Sequence, residues 1–333
     1  MDLSTKYLGL DLPHPIVPSA AQPLTGDLDS MKRLEDGGAP AIVVHSLFEE
    51  QIGAEAENLG HFLEHGAESH AEAMSYYPSH EEYILGPEAY VEHIRKAKES
   101  LSVPVIGSLN GVSTGGWTEY AAKIEEAGAD ALELNVYYLP TDPRLSGEAV
   151  EAVYTNIVAE VTGRVSIPVA VKIGPFFSSM TNFAKKLEEA GASGLSLFNR
   201  FYQPVIDPER LSVEPHLALS TPSEILLPVR WIAILREHTE MTLSATSGVH
   251  SEMDALRLTM AGADVVHTCA AILKRGPAVI GEIRDRLAQW LEEHEYSSLS
   301  EARGSMSQAN CPEPAAFERA NYMKAVHRFV PPA

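Results

Sequence analysis

Apolar residues along the chain fall into two alternating patterns. Short, β-branched runs recur at Ile16-Val17-Pro18, Ala41-Ile42-Val43-Val44, Val103-Pro104-Val105-Ile106-Gly107 and Ala131-Leu132-Glu133-Leu134. They return at Ile167 to Lys172, Gly194 to Leu197, Met241 to Ala245 and Val265-Val266. Between them apolar positions stand three or four apart, as at Tyr90, Ile94, Ala97 and Leu101, or Phe183, Leu187 and Ala190. That is the helical period. Four helix ends carry a Gly-centred knot leading into a strand: Asp36-Gly37-Gly38-Ala39, Ala127-Gly128-Ala129-Asp130, Ala190-Gly191-Ala192 and Ala261-Gly262-Ala263-Asp264. Glycine there takes the left-handed conformation that stops a helix. Each knot precedes an even-numbered strand, so one two-unit βα module is used four times.

Eight strands alternating with helices, and no second pattern, predict α/β architecture: one closed (β/α)8 TIM barrel. Residues 1–333 form a single domain on this reading, with the barrel over about 14–294 and a tail over 295–333 packed outside. An open doubly wound sheet is the alternative, but no Gly-x-Gly-x-x-Gly turn follows a strand. Long connections, 46–87 after strand 2 and 200–222 after strand 6, leave from strand C-terminal ends. Barrels keep their chemistry on that face, so both are expected as active-site walls.

The strand ends read Ser19, His45-Ser46, Asn110, Asn135, Lys172, Asn199, Thr246-Ser247-Gly248 and His267-Thr268. An amide both donates and accepts, so three asparagines suit a planar heterocycle with alternating C=O and N–H groups. Alternation along strand 5 sends Val169, Val171 and Ile173 outward and Ala170, Lys172 and Gly174 inward. An inward lysine needs an anion. Three readings are open: a pair with a carboxylate such as Glu133, stabilisation of a reduced flavin's negative charge, or a Schiff base with a carbonyl substrate.

Several segments together resemble the dihydroorotate dehydrogenase family. They are Glu133-Leu134-Asn135, Pro168-Val169-Ala170-Val171-Lys172-Ile173-Gly174-Pro175, Gly191-Ala192-Ser193-Gly194 with Asn199, Ser247-Gly248-Val249, and Ala261 to Val266 closed by Gly276-Pro277. The similarity runs in register from about His14 to Ile283. It implies an oxidoreductase of the soluble class in pyrimidine biosynthesis, with FMN over the barrel mouth accepting a hydride from dihydroorotate or a related dihydro-heterocycle. It implies that Asn110, Asn135 and Lys172 hold the flavin ring, with Ala20 and Ser46 beside it. Ser247-Gly248 and Cys269-Ala270 would supply the phosphate turns, and Asn135 and Asn199 would grip the substrate. The resemblance also implies a homodimer and a separate electron-transfer partner.

Four positions depart from the family pattern. The base, Cys or Ser three residues after the strand 4 asparagine, is Tyr138 here, which becomes the candidate base beside Lys172. A phenol ordinarily titrates near 10 and needs help to act at neutral pH. The lysine expected after strand 2 is His45, the substrate loop reads Ala73-Met74-Ser75-Tyr76-Tyr77-Pro78 without an amide, and the second phosphate turn has Cys269-Ala270 for Gly-Thr. A Schiff-base lyase using Lys172 and a non-catalytic flavin-binding barrel are the alternative functions.

Composition narrows the partners. Twenty-five Lys and Arg against 46 Asp and Glu give a net charge of −21, which repels nucleic acid and anionic lipid. A small anionic substrate needs a local cluster of donors against that field. No apolar run approaches the roughly 18 residues of a membrane span. The first residues show no secretory pattern, so a cytoplasmic protein is expected. Two cysteines, Cys269 and Cys311, form neither a disulfide framework nor a metal ribbon. His61 and His65 share helical spacing without a third ligand, so no metal site is expected.

Overall fold

A computed structural model describes residues 1–53, 86–113, 115, 117–200, 203–214, 216–319 and 322–328. In chain order the strands are β1 (Thr5–Tyr7), β2 (Leu10–Leu12), β3 (Ile16–Pro18), β4 (Ile42–Val43), β5 (Leu47–Phe48) and β6 (Val105–Asn110). Then follow β7 (Ala131–Asn135), β8 (Val169–Ile173), β9 (Gly194–Leu197), β10 (Val205–Asp207), β11 (Ser212–Glu214), β12 (Thr242–Ala245) and β13 (Val265–Thr268). The parallel ladder runs β3-β13-β12-β9-β8-β7-β6-β4, and β5 joins the upper end of β6. β3 and β4 lie side by side and bring the sheet round to a nearly closed ring. These eight barrel strands are the eight apolar runs, and helices separate them as the spacing predicts.

Strand parity divides the interior. Val169, Val171 and Ile173 join the layer between sheet and helices, whereas Ala170 joins an inner apolar cluster with Val17, Ala41, Val43, Ile106, Ala131 and Val265. The antiparallel β1–β2 hairpin closes the N-terminal end of the barrel, with Tyr7, Leu8 and Leu12 each only 1% exposed in that cluster. Nothing in the apolar spacing predicts this hairpin.

Caps fix the helix starts. Asp27 accepts from the Ser30 N–H before the helix Leu28–Asp36, and Ser251 and Asp254 form a capping box before Glu252–Ala261. Such a cap contributes about 1 kcal/mol. Knot glycines end them: Gly191 has φ +102°, and a Cβ there would lie 2.7 Å from Thr162 Oγ1.

The two long connections differ from plain loops. Most of 46–87, including His61, His65 and the 73–78 segment, lies outside the described residues. The connection after β9 contains the hairpin β10–β11, whose paired Ile206 and Val213 are both exposed. The tail docks on the barrel's outside, with Met306 N donating to Met260 O at 2.8 Å and Gln308 N to Ala233 O at 2.9 Å. Among the described residues no helix is long and apolar enough to cross a membrane.

Candidate active site

The register of five adjacent strands brings the polar residues to one level. Asn110 pairs with Asn135, Asn135 with Lys172, Lys172 with Ser196, and Ser196 with Ser244. Parity points all of them inward, as alternation predicts for Lys172. Below them Glu133 is 2% exposed, and its Oε1 stands 3.2 Å from Lys172 Nζ. Ser196 Oγ lies 3.2 Å from Glu133 Oε2 and 2.5 Å from Ser244 Oγ, and Tyr7 OH reaches Ser244 at 3.4 Å from beneath. Burial pushes the Glu133 carboxyl up, but the Lys172 charge and the hydrogen bonds from Lys172 and Ser196 outweigh it and hold it below the usual range. Glu133 is therefore a carboxylate inside the barrel.

His267 faces the same column, edge-on to Tyr7 with ring centroids 5.9 Å apart. Burial, with the Lys172 charge adding to it against the pull of Glu133, lowers its pKa to about 4. The imidazole is neutral at pH 7; the Pro18 main chain lies beside it and pulls its pKa up against burial, but among the described residues neither ring nitrogen reaches full hydrogen-bond geometry. Two orphaned polar atoms beside a cavity mark a place for a polar ligand or ordered water.

Above the column lies a cavity of about 800 Å³ bordered by Ala20, Ala21, His45, Ser46, Asn110, Asn135, Tyr137, Asn199 and Arg200. A deeper lobe of about 260 Å³ shares Ala20, Ala21, Asn199 and Arg200 with it and reaches Lys172, Ser247, Gly248, His267, Cys269 and Ala270. A side lobe of about 440 Å³ opens between Phe176, Asn199, Arg200 and the helix Leu226–Leu235. Asn199 Nδ2 donates to Asn135 Oδ1 at 2.6 Å, so among the described residues each amide keeps one free end, Asn135 as donor and Asn199 as acceptor. On the opposite side the His45 N–H donates to Thr25 Oγ1 at 2.8 Å, and its Nδ1 lies 3.3 Å from the same hydroxyl. Burial, with His93 adding to it, lowers the His45 pKa to about 4. The residue in place of the expected lysine is thus uncharged.

The turn after β12 holds two consecutive left-handed residues, Ser247 at φ +77° and Gly248 at φ +81°. A Cβ on Gly248 would lie 2.7 Å from the Ile225 nitrogen, so glycine is required for this packing. A serine at positive φ is uncommon and concentrates at sites where the backbone itself is used. Cys269, at the end of the last strand, has its thiol pushed up by burial against the opposing Lys172 charge. That favours the neutral thiol over the thiolate.

Ten of the eleven residues expected from the sequence border these lobes: Ala20, Ser46, Asn110, Asn135 and Asn199 the cavity, and Lys172, Ser247, Gly248, Cys269 and Ala270 the deeper lobe. Tyr138 does not; it packs against the core between sheet and helices, while its neighbour Tyr137 borders the cavity. Alternation explains the difference. Glu133 and Asn135 point inward, so continued parity gives Tyr137 inward and Tyr138 outward, and counting three residues on from Asn135 crosses to the other face. Arg200, also absent from the expected set, borders all three lobes. Among the described residues no group of three His, Cys, Asp or Glu side chains could hold a metal.

Comparison with known proteins bears on this arrangement. The family model for dihydroorotate dehydrogenase matches residues 84–291. The chain is 28% identical over 316 residues to the dihydroorotate dehydrogenase B (NAD(+)) catalytic subunit of Thermoplasma volcanium, covering 91% of this chain and 98% of that protein. It is 32% identical over 216 residues to a putative dihydroorotate dehydrogenase A (fumarate) of Aeropyrum pernix, covering 62% and 68%. Against dihydroorotate dehydrogenase A (fumarate) of Lactobacillus delbrueckii subsp. bulgaricus identity is 24% over 267 residues, covering 78% and 83%.

Proposed function

We propose, from the premise that this chain belongs to the dihydroorotate dehydrogenase family, that it oxidises dihydroorotate with FMN as its cofactor. Membership makes it a flavin-using oxidoreductase acting on CH–CH groups. That the flavin is FMN, and which residues hold it, is our reading.

The observation that carries the reading is the single level of Asn110, Asn135 and Lys172 above a fixed carboxylate, next to a left-handed turn of small residues. The residues present fit a flavin. Ala20 and Ala21 let a flat ring approach the wall, the orphaned His267 ring offers polar atoms, and main-chain N–H groups near Ser247-Gly248 and Cys269-Ala270 suit a phosphate. With no separate adenosine-binding unit in the sequence pattern, FMN is favoured over FAD.

Bound there, the flavin supplies the hydride acceptor. Lys172, oriented by Glu133, would face the reduced flavin and stabilise its negative charge. The free amide ends of Asn135 and Asn199 give one donor and one acceptor to a ring of alternating C=O and N–H groups. Proton removal needs an oxygen, nitrogen or sulfur at the cavity. Tyr137, on the cavity wall, becomes our candidate base in competition with Tyr138.

The ion pair speaks against the Schiff-base lyase. A deprotonated Lys172 would leave Glu133 ionised, buried and unpaired, which costs several kcal/mol. Relatives named as catalytic subunits support a separate electron-transfer partner; a homodimer is the assembly we expect. Heat release and chromatography of the bound cofactor, with oxidation of dihydroorotate by an artificial acceptor, test the function. FMN and turnover are expected. Absence of flavin after reconstitution with excess FMN refutes it.

A further inference from the structure

Arg200 stands where the three lobes meet. It follows Asn199 directly, so an amide and a guanidinium leave the end of β9 together. Its Nε donates to Glu224 Oε2 at 2.8 Å, and Nη1 donates to the Ala218 carbonyl. Glu224 is itself fixed as the third residue of a capping box, its Oε1 accepting the Thr221 N–H at 2.8 Å. Burial pushes Glu224 up, but Arg200 and Thr221 outweigh it and hold the carboxyl below the usual range. A guanidinium has five N–H donors in a rigid fork. Two are engaged with the described residues, and the side chain is 35% exposed at the cavity mouth.

Charge around the cavity leaves an anion few choices. Among the described residues the Lys and Arg side chains on the walls are Lys172 and Arg200, and Lys172 is committed to Glu133. The whole chain carries −21. Glu50 adds a negative charge to the cavity wall. Arg200 is the cation with unspent donors that these described walls offer to a substrate carboxylate.

We propose that Arg200 receives the ring carboxylate of the substrate, while Asn135 and Asn199 grip the ring; this rests on the dihydroorotate reading above. Glu224 pre-sets the guanidinium, so the fork is extended before the ligand arrives and little side-chain freedom is lost on binding. The site is thereby selective for cyclic amides that carry a carboxylate over the same ring without one.

Calorimetric titration of the FMN-loaded protein with orotate and with uracil, which lacks the carboxylate, tests the assignment. In Arg200→Gln the orotate Kd should rise about ten- to a hundredfold, as expected for loss of hydrogen bonds to a charged group. Uracil affinity and FMN content should stay unchanged. Arg200→Lys, which keeps the charge but not the fork, should lose severalfold for orotate alone, and it carries the test if the glutamine variant does not fold. Equal losses for both ligands, or an unchanged orotate Kd, overturn the assignment. So does loss of FMN with orotate affinity retained, which would move the guanidinium to the cofactor phosphate. Wild-type protein that holds FMN but binds orotate no better than uracil refutes the substrate reading itself.

Discussion

Replacing Glu133 by glutamine should reveal how the barrel tolerates an ion pair in its interior. Oε1 and Nζ are 3.2 Å apart, with side chains 3% and 8% exposed. At an effective dielectric of 20, Coulomb attraction at that distance is about 5 kcal/mol. Desolvation of the two ions costs several kcal/mol each, so the pair is close to balanced against a neutral substitute. Removing one partner has no such balance. Glu133→Gln leaves the Lys172 ammonium buried against an amide, and a loss of about 3 kcal/mol is expected, at the low end of the roughly 3–5 kcal/mol for such cuts because the amide oxygen still accepts. Lys172→Met, leaving the carboxylate with the Ser196 hydroxyl among the described residues, should cost nearer 5 kcal/mol on the same scale. The double variant should be more stable than either single one. Unfolding entropy of about 2.1 cal/mol/K per residue makes roughly 0.7 kcal/mol/K for 333 residues, so these losses appear as Tm shifts of about 4–7 °C. Calorimetry on flavin-free protein measures them without a contribution from the cofactor. Single variants within about 0.5 kcal/mol of wild type, or a double variant as unstable as the two losses added, would refute the coupling.

Lys172→Ala should lower the two-electron potential of the bound flavin; a 30 mV drop would correspond to about 1.4 kcal/mol, and an unchanged potential would remove the lysine from the cofactor. Tyr137→Phe should lower dihydroorotate oxidation about 10²–10⁴-fold and abolish a rise of rate with pH, whereas Tyr138→Phe should have a small effect; the opposite ranking would restore Tyr138 as the base. Stability should fall in mild acid, because His14, His45 and His267 each have pKa values lowered to about 4, mainly by burial. These groups stay neutral in the fold but take up protons when unfolded, so the stability present above about pH 6.5 is lost as pH falls toward 4, at about 4 kcal/mol per pH unit where all three contribute. Urea midpoints between pH 7 and 5 measure the slope; His45→Gln should reduce it by about one proton, and a flat profile would contradict the burial of these rings.

What could be read from the sequence follows the regularity of the parts. Parallel strands buried on both faces, such as Val169 to Ile173, are short apolar runs, and the period of two then settles that Lys172 points inward. Tyr137 obeys the same rule, whereas distance from Asn135 along the family pattern points to Tyr138, which lies on the other face of the strand's continuation. Arg200 obeys no period. Both Asn199 and Arg200 border the cavity in succession because the chain has left β9, and past a strand end the loop, not alternation, aims the side chains. Glu133 was legible as a partner for Lys172 because both lie on inward positions of adjacent strands. The β1–β2 hairpin was not, since three-residue strands carry too little pattern to separate from a loop.

That hairpin bears on timing. With Tyr7, Leu8 and Leu12 filling the N-terminal end, the lobe at the mouth is the approach to Lys172 and His267 that the described residues leave open. Proton traffic between this column and the bulk therefore has one door. Whatever rests on the mouth closes it, and the column then keeps the protons it held at that moment until the door reopens. A sudden change of pH should be felt at once by the empty barrel and only at the pace of ligand departure by the occupied one.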